Sequence, residues 1–122
     1  ALERGVHVLI EKPLEVSVAR GELVAAAARA ANRVAAVGYV TRFRDNVLLL
    51  KELLDQEYFG PVVRYAYQFG TPGGWPSLSA YTLDRTIAGG GVVMVSGTHF
   101  IDRMLYLFGM PSGHRYQDDS LG

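Results

Sequence analysis

Hydrophobic spacing changes character along the chain, and the changes mark out its elements. Residues 7 to 10, His-Val-Leu-Ile, form an unbroken β-rich run after His7, the pattern of a strand buried on both faces of a parallel sheet. Pro13 cannot continue a ladder and pushes Lys12 toward an extended backbone, so the strand must end there. From Ser17, a candidate N-cap, "SVARGELVAAAARAANR" is helical, with Leu23, Ala26, Ala27 and Ala30 on one face. Gly21 inside it costs about 1 kcal/mol relative to Ala. Val34 to Val40 is a second short apolar strand, and strand, helix, strand is the βαβ unit of a doubly wound sheet. Ahead of it, "ALERG" reads as the last turn of a helix closed by Gly5 in the left-handed position.

Past "GYVTRFRDN" the pattern shifts. Asp45 or Asn46 can cap a helix whose Val47, Leu50, Leu53 and Leu54 make one apolar stripe ending near Phe59 and Gly60. A domain boundary is expected near Thr41. Residues 62 to 69 alternate: Val63, Tyr65, Tyr67 and Phe69 point one way, and Val62, Arg64, Ala66 and Gln68 the other. That predicts a half-buried antiparallel strand. "GTPGGWPSLSAYTLDRTIAGGG" is a long loop holding Trp75, of the length that is functional or disordered in compact domains. "VVMVSGTHFIDRMLYLFG" then resumes helical spacing, with Val92, Val95, His99, Asp102 and Tyr106 on one side, and stops at Gly109 before Pro111.

Composition narrows the function classes. Twelve basic and twelve acidic side chains cancel to a formal charge of zero, which offers no electrostatic footprint for nucleic acid or an anionic membrane. There are no cysteines, so disulfide scaffolds, thiolate metal sites and cysteine nucleophiles drop out, in keeping with a cytoplasmic protein. The opening residues lack a signal-peptide pattern, and no segment reaches the roughly twenty apolar residues needed to span a bilayer.

Chemistry concentrates at few positions. Lys12, at the carboxyl end of a buried strand, lies where open α/β sheets bind ligands; the plain alternative is a surface pair with Glu11. His99 follows the triple glycine at residues 89 to 91 and can project toward whatever that helix faces, although a lone histidine is more often a satisfied core residue. Asp102, three residues on, could orient the ring or be a solvated helix charge. His99 and Asp102 lack a third ligand at suitable spacing, so no metal is expected. The glycines lack phosphate-loop spacing and instead permit close backbone approach or flexibility. Arg42 and Arg44 could contact phosphate or carboxylate, or be solvated, and His7 and His114 read as structural and tail residues.

Two segments, "GVHVLIEKP" and "GGGVVMVSGTHFID", separated by "VGYVTRF", resemble those of the glucose-fructose oxidoreductase and inositol dehydrogenase family, written Gfo/Idh/MocA, from Gly5 to about Gly122. The resemblance implies that residues 1–40 are the C-terminal part of a Rossmann-type NAD(P)-binding domain. Residues 41–122 would then begin an α/β domain with an open, largely antiparallel sheet. It implies NAD or NADP as cofactor, met by Glu11, Lys12, Pro13 and Arg42, and a sugar, cyclitol or related secondary alcohol as substrate, met by Lys12, His99 and Asp102. Lys12 and His99 are the implied catalytic pair: the histidine accepts the hydroxyl proton and the lysine stabilises the developing oxyanion.

Two departures qualify that reading. The acidic residue usual one helical turn before the histidine falls on Val95, which leaves open a catalytically inactive relative serving as a ligand-binding or oligomerisation module. The glycine-rich fingerprint and the acid that reads the ribose are expected upstream of Ala1, so the chain is expected to be an internal piece, inactive alone. Its strand at residues 7 to 10 would keep an unpaired edge, which predicts poor stability or association there. The mixed face of Val62, Arg64, Ala66 and Gln68 suits a subunit contact, and a homo-oligomer is expected of the whole protein.

Overall fold

The computed structural model describes residues 1–70 and 84–117. The expected βαβ unit is present. Strand β1 (Val8–Ile10) is followed by helix α1 (Val18–Ala31) and strand β2 (Ala35–Val37). The strands pair in parallel, Val8 opposite Ala35, Leu9 opposite Ala36 and Ile10 opposite Val37. Flanking bonds extend the ladder, from Val8 N–H to the Val34 carbonyl at 2.9 Å and from Gly38 N–H to the Ile10 carbonyl at 2.8 Å. His7 is structural, since its Nδ1 accepts the Val34 N–H at 2.9 Å. A 3-10 turn, Leu2–Arg4, opens the chain and closes at Gly5 with φ 74°, a backbone region that glycine enters without steric penalty.

Packing corrects two details of the βαβ unit. The strand expected to be buried on both faces is covered on one, and Leu9 remains 78% exposed because no described element overlies its side of the sheet. On α1 the covered residues are Gly21, Val24, Ala25, Ala27, Ala28 and Ala31; of the expected face Ala27 is among them, whereas Leu23, Ala26 and Ala30 face outward. Alanines almost all round this helix make its spacing compatible with several faces, and contact with the sheet selects one. Asn32, in the left-handed conformation, ends it, with its N–H on the Ala28 and Arg29 carbonyls.

Beyond β2, a 3-10 turn over Val40–Phe43 leads into helix α2 (Asp45–Asp55). The cap residue is Arg44, and Asp45 occupies the first turn, where its charge favours the exposed N–H groups. The expected stripe holds: Val47 is buried, and Leu50, Leu53 and Leu54 are partly covered, while Leu48 and Leu49 face out.

The antiparallel strand expected over residues 62 to 69 does not form: these residues join no ladder, and the sheet among the described residues is the parallel β1–β2 pair. Alternation still directs its aromatic side chains, but onto a helix. Tyr65 meets Phe108 with centroids 5.0 Å apart, and Tyr67 and Phe69 flank Phe100 at 4.7 and 4.8 Å. Most of the expected long loop, Trp75 included, lies outside the described residues.

The second half is organised by helix α3 (Thr98–Phe108), preceded without a break by a π-helical turn, Val93–Gly97. It packs on α2 and on the 3-10 turn after β2, burying Leu107 and Asp102. Gly109 ends it, as expected. A single helical turn, Arg85–Ala88, stands before the glycines. Gly89 has φ 74°, and a Cβ there would lie 2.6 Å from the Cβ of Val16. Close backbone approach is therefore what this glycine provides, against the segment between Lys12 and α1.

Candidate functional site

Lys12 leaves the end of β1 just before a proline whose peptide bond is cis. Its Nζ donates to the carbonyl of Val95 at 2.5 Å, and not to Glu11 as the surface alternative would have it. Glu11 turns elsewhere, its carboxylate lying 3.5 Å from where a Cβ on Gly38 would stand, so both residues after β1 border the carboxyl ends of the two strands. The accepting carbonyl belongs to the π turn that runs into α3. Wider turns of this kind displace backbone carbonyls from the regular ladder and recur at functional sites.

His99 sits in the first turn of α3, four residues after Val95. Its ring meets the edge of Tyr39 at 6.0 Å between centroids. Nδ1 is buried and takes no partner from the described residues. A satisfied core histidine would have both polar atoms engaged, so the bland reading of His99 does not describe this ring. Burial, and then the nearby Lys12 ammonium, hold its pKa below the ordinary 6.5; Asp102 and Glu11 act in the opposite sense, and Arg44 adds to the lowering. The imidazole is therefore neutral at pH 7, the form able to accept a proton.

Asp102 turns both oxygens to Arg42 rather than to the His99 ring, Nε donating to Oδ2 at 2.6 Å and Nη2 to Oδ1 at 2.5 Å. Nor is it a solvated helix charge, since it is 6% exposed. Arg42 thus finds its carboxylate within the chain, under the Tyr106 ring at 5.3 Å. Tyr39, directly beyond β2, is a site residue that no motif in the sequence singles out; burial, reinforced by Asp102, raises the pKa of its hydroxyl, which stays protonated. The Val95 carbonyl is a backbone group that no residue pattern announces.

Lys12, Glu11, Tyr39, His99 and the Arg42–Asp102 pair therefore meet where the βαβ unit abuts α3. Residues 1–39 match the NAD-binding Rossmann fold of an oxidoreductase family, and residues 47–116, more than half of the 122, match the C-terminal domain of that same family. The chain belongs to the Gfo/Idh/MocA oxidoreductase family. Similar proteins include the uncharacterized oxidoreductase YdgJ of Escherichia coli (strain K12), 29% identical over 91% of this chain and 32% of the relative. The scyllo-inositol 2-dehydrogenase (NADP(+)) IolW of Bacillus subtilis (strain 168) is 26% identical over 90% of this chain and 30% of its own length. A D-glucoside 3-dehydrogenase of Escherichia coli (strain K12) is 28% identical over 92% and 32%. The chain spans about a third of the length of these relatives.

The residues fit the nicotinamide nucleotide that a Gfo/Idh/MocA member implies. An ammonium and a carboxylate border the strand ends, where such sheets receive ligands, and a neutral imidazole with an unpartnered nitrogen stands beside them. Among the described residues no three His, Cys, Asp or Glu side chains gather as a metal site, and no helix is long and apolar enough to cross a membrane.

Proposed function

We propose that this chain is the catalytic joint of an NAD(P)-dependent oxidoreductase that acts on a secondary alcohol of a sugar, cyclitol or related polyol. Residues 1–40 serve as the C-terminal part of its nucleotide-binding domain and residues 41–122 as the start of its substrate and oligomerisation domain. The observation that carries this reading is the fastening of Lys12 one helical turn ahead of a neutral His99. Similarity to a scyllo-inositol dehydrogenase and a glucoside dehydrogenase supports the polyol class.

The bound nucleotide supplies a hydride acceptor or donor. Glu11, Lys12 and Pro13, at the carboxyl end of β1, would hold its nicotinamide end. His99 takes the hydroxyl proton as the alcohol is oxidised and returns it in reduction. Lys12 donates a hydrogen bond to the oxygen that gains negative charge, and the Val95 carbonyl limits where the ammonium can go. Tyr39 walls the ring on its other side with a protonated hydroxyl.

Val95 favours one competing reading, a relative that binds nucleotide without turnover, because no carboxylate stands a turn before His99. The test uses the whole protein that carries these residues. It is assayed with NAD and NADP across a panel of polyols and the corresponding ketones, as wild type and as Val95→Asp. Turnover by the wild type is expected. Nucleotide binding without oxidation or reduction by either form would replace the enzyme with the binding module.

A further inference from the structure

The site draws its parts from two stretches of chain, and one half-buried ion pair ties those stretches together. Arg42 stands in the 3-10 turn that follows β2, and Asp102 lies on α3, three residues beyond His99. Two parallel hydrogen bonds, 2.6 and 2.5 Å long, join the guanidinium to both carboxylate oxygens. The carboxylate is nearly out of solvent, and the guanidinium, itself 37% exposed, rests against one face of the Tyr106 ring, about one helical turn further along α3. Exposed single-contact bridges tolerate many geometries, but a forked contact on a buried carboxylate tolerates few, because each oxygen must meet its own N–H. The pair therefore fixes translation and rotation of the helix that carries His99, at a point within one turn of the ring.

We infer that Arg42 and Asp102 are positioning residues, whose forked contact holds α3 against the end of β2 so that His99 stands opposite Lys12. This rests on the reading of Lys12 and His99 as the groups that face substrate, and it moves Asp102 from substrate contact, and Arg42 from cofactor contact, to support. Arg42 and Asp102 touch no reacting atom; they act through the placement of the imidazole.

Arg42→Lys in the whole protein tests this, because it keeps the charge and removes the fork. The charged groups facing His99 are Lys12 and Glu11 after β1, Arg44 before α2, and Asp102 on its own helix, with the Tyr39 hydroxyl beside them. All of them survive the substitution. Titration of the His99 ring by NMR is the first readout. With the fork gone, α3 shifts, water reaches the ring and Lys12 is further away, so the midpoint rises toward 6.5. A purely stabilising role leaves the midpoint where it is, and an unchanged midpoint in the folded variant overturns the inference. Asp102→Glu, which keeps the charge on a longer arm, gives the same reading should the lysine variant unfold.

Turnover separates this inference from the activity it rests on. A displacement on the order of 1 Å is expected to lower kcat about a hundredfold, with KM for the nucleotide unchanged. If the wild type turns over nothing while Arg42→Lys still moves the midpoint, the proposed activity fails and the positioning role stands. If the wild type is active and Arg42→Lys changes neither readout, the positioning role fails alone.

Discussion

Lys12 Nζ donates to the carbonyl of Val95 at 2.5 Å, across 83 residues of sequence, and so pins the end of β1 to the backbone four residues before His99. A backbone acceptor has a consequence that a side-chain acceptor would not: the lysine is held without its charge being neutralised. The ammonium stays available both to lower the affinity of His99 for a proton and to meet an oxygen that becomes negative.

Replacement of the charge tests that double use. Lys12→Met in the whole protein is expected to lower kcat by roughly 10²- to 10³-fold, the range for loss of one donor to a developing oxyanion. Stability should fall only by about 1 kcal/mol, the net value of one hydrogen bond. Steady-state kinetics and urea unfolding on the same samples decide it. A kcat within a few-fold of wild type removes Lys12 from the chemistry.

Acid should weaken the fold through His99. Its native pKa lies below the ordinary 6.5 that it regains on unfolding, so between the two values the unfolded chain binds more protons than the native one. Stability contributed by the neutral ring is whole above pH 6.5, declines as pH falls through that window, and is gone below the native value. Urea midpoints measured from pH 5 to 8 should climb more steeply for wild type than for His99→Asn. Parallel curves would mean that the ring titrates normally. In the same window, polyol oxidation should rise with pH as His99 loses its proton.

Gly89 should resist any side chain. A Cβ would stand 2.6 Å from the Val16 Cβ, on a backbone with φ 74°, so Gly89→Ala carries both a clash and a conformational penalty. A loss of about 1–3 kcal/mol is expected. Part of it should return in the double variant with Val16→Ala, because that removes the clash and leaves the backbone term. A coupling energy near zero in the double-mutant cycle would show that Val16 gives way without resistance.

Local order was legible in the residues, and long-range partnership was not. The βαβ unit follows from two short β-rich runs around an alanine-rich helix; Pro13 marks where its first strand stops and Gly5 the end of the turn before it, both acting on their own backbone, while Ser17 stands at the N-cap position without a side-chain capping bond. The stripe of Val47, Leu50, Leu53 and Leu54 was legible because its members repeat at helical spacing, although Leu48 and Leu49 on the other side of α2 are apolar too and stay exposed. Helix α1 turns a face mostly different from the expected one, because alanine fits equally on every side and contact with β2 and the opening 3-10 turn distinguishes Ala28 from Ala30. Residues 62 to 69 alternate like a strand, but a ladder needs a neighbour, and the aromatic side chains found Phe100 and Phe108 instead. Lys12 and His99 were legible as residue types in familiar segments. The Arg42–Asp102 fork, 60 residues apart in sequence, required the fold.

The exposed side of the βαβ unit bears on how the chain behaves when produced as these residues alone. Among the described residues strand β1 has β2 on one side only, and a two-stranded sheet is marginal in water without further cover. Its free edge offers unpaired N–H and C=O groups, and Leu9 stands 78% exposed on the adjoining face. Both invite a second copy. The isolated chain should therefore grow in apparent mass with concentration in light scattering and unfold over a broad range of denaturant. Leu9→Lys, which puts a charge on that face without touching Lys12 or His99, should return it toward a monomer. A sharp transition from a species that stays monomeric at every concentration would show that the two strands and α1 are stable as they stand.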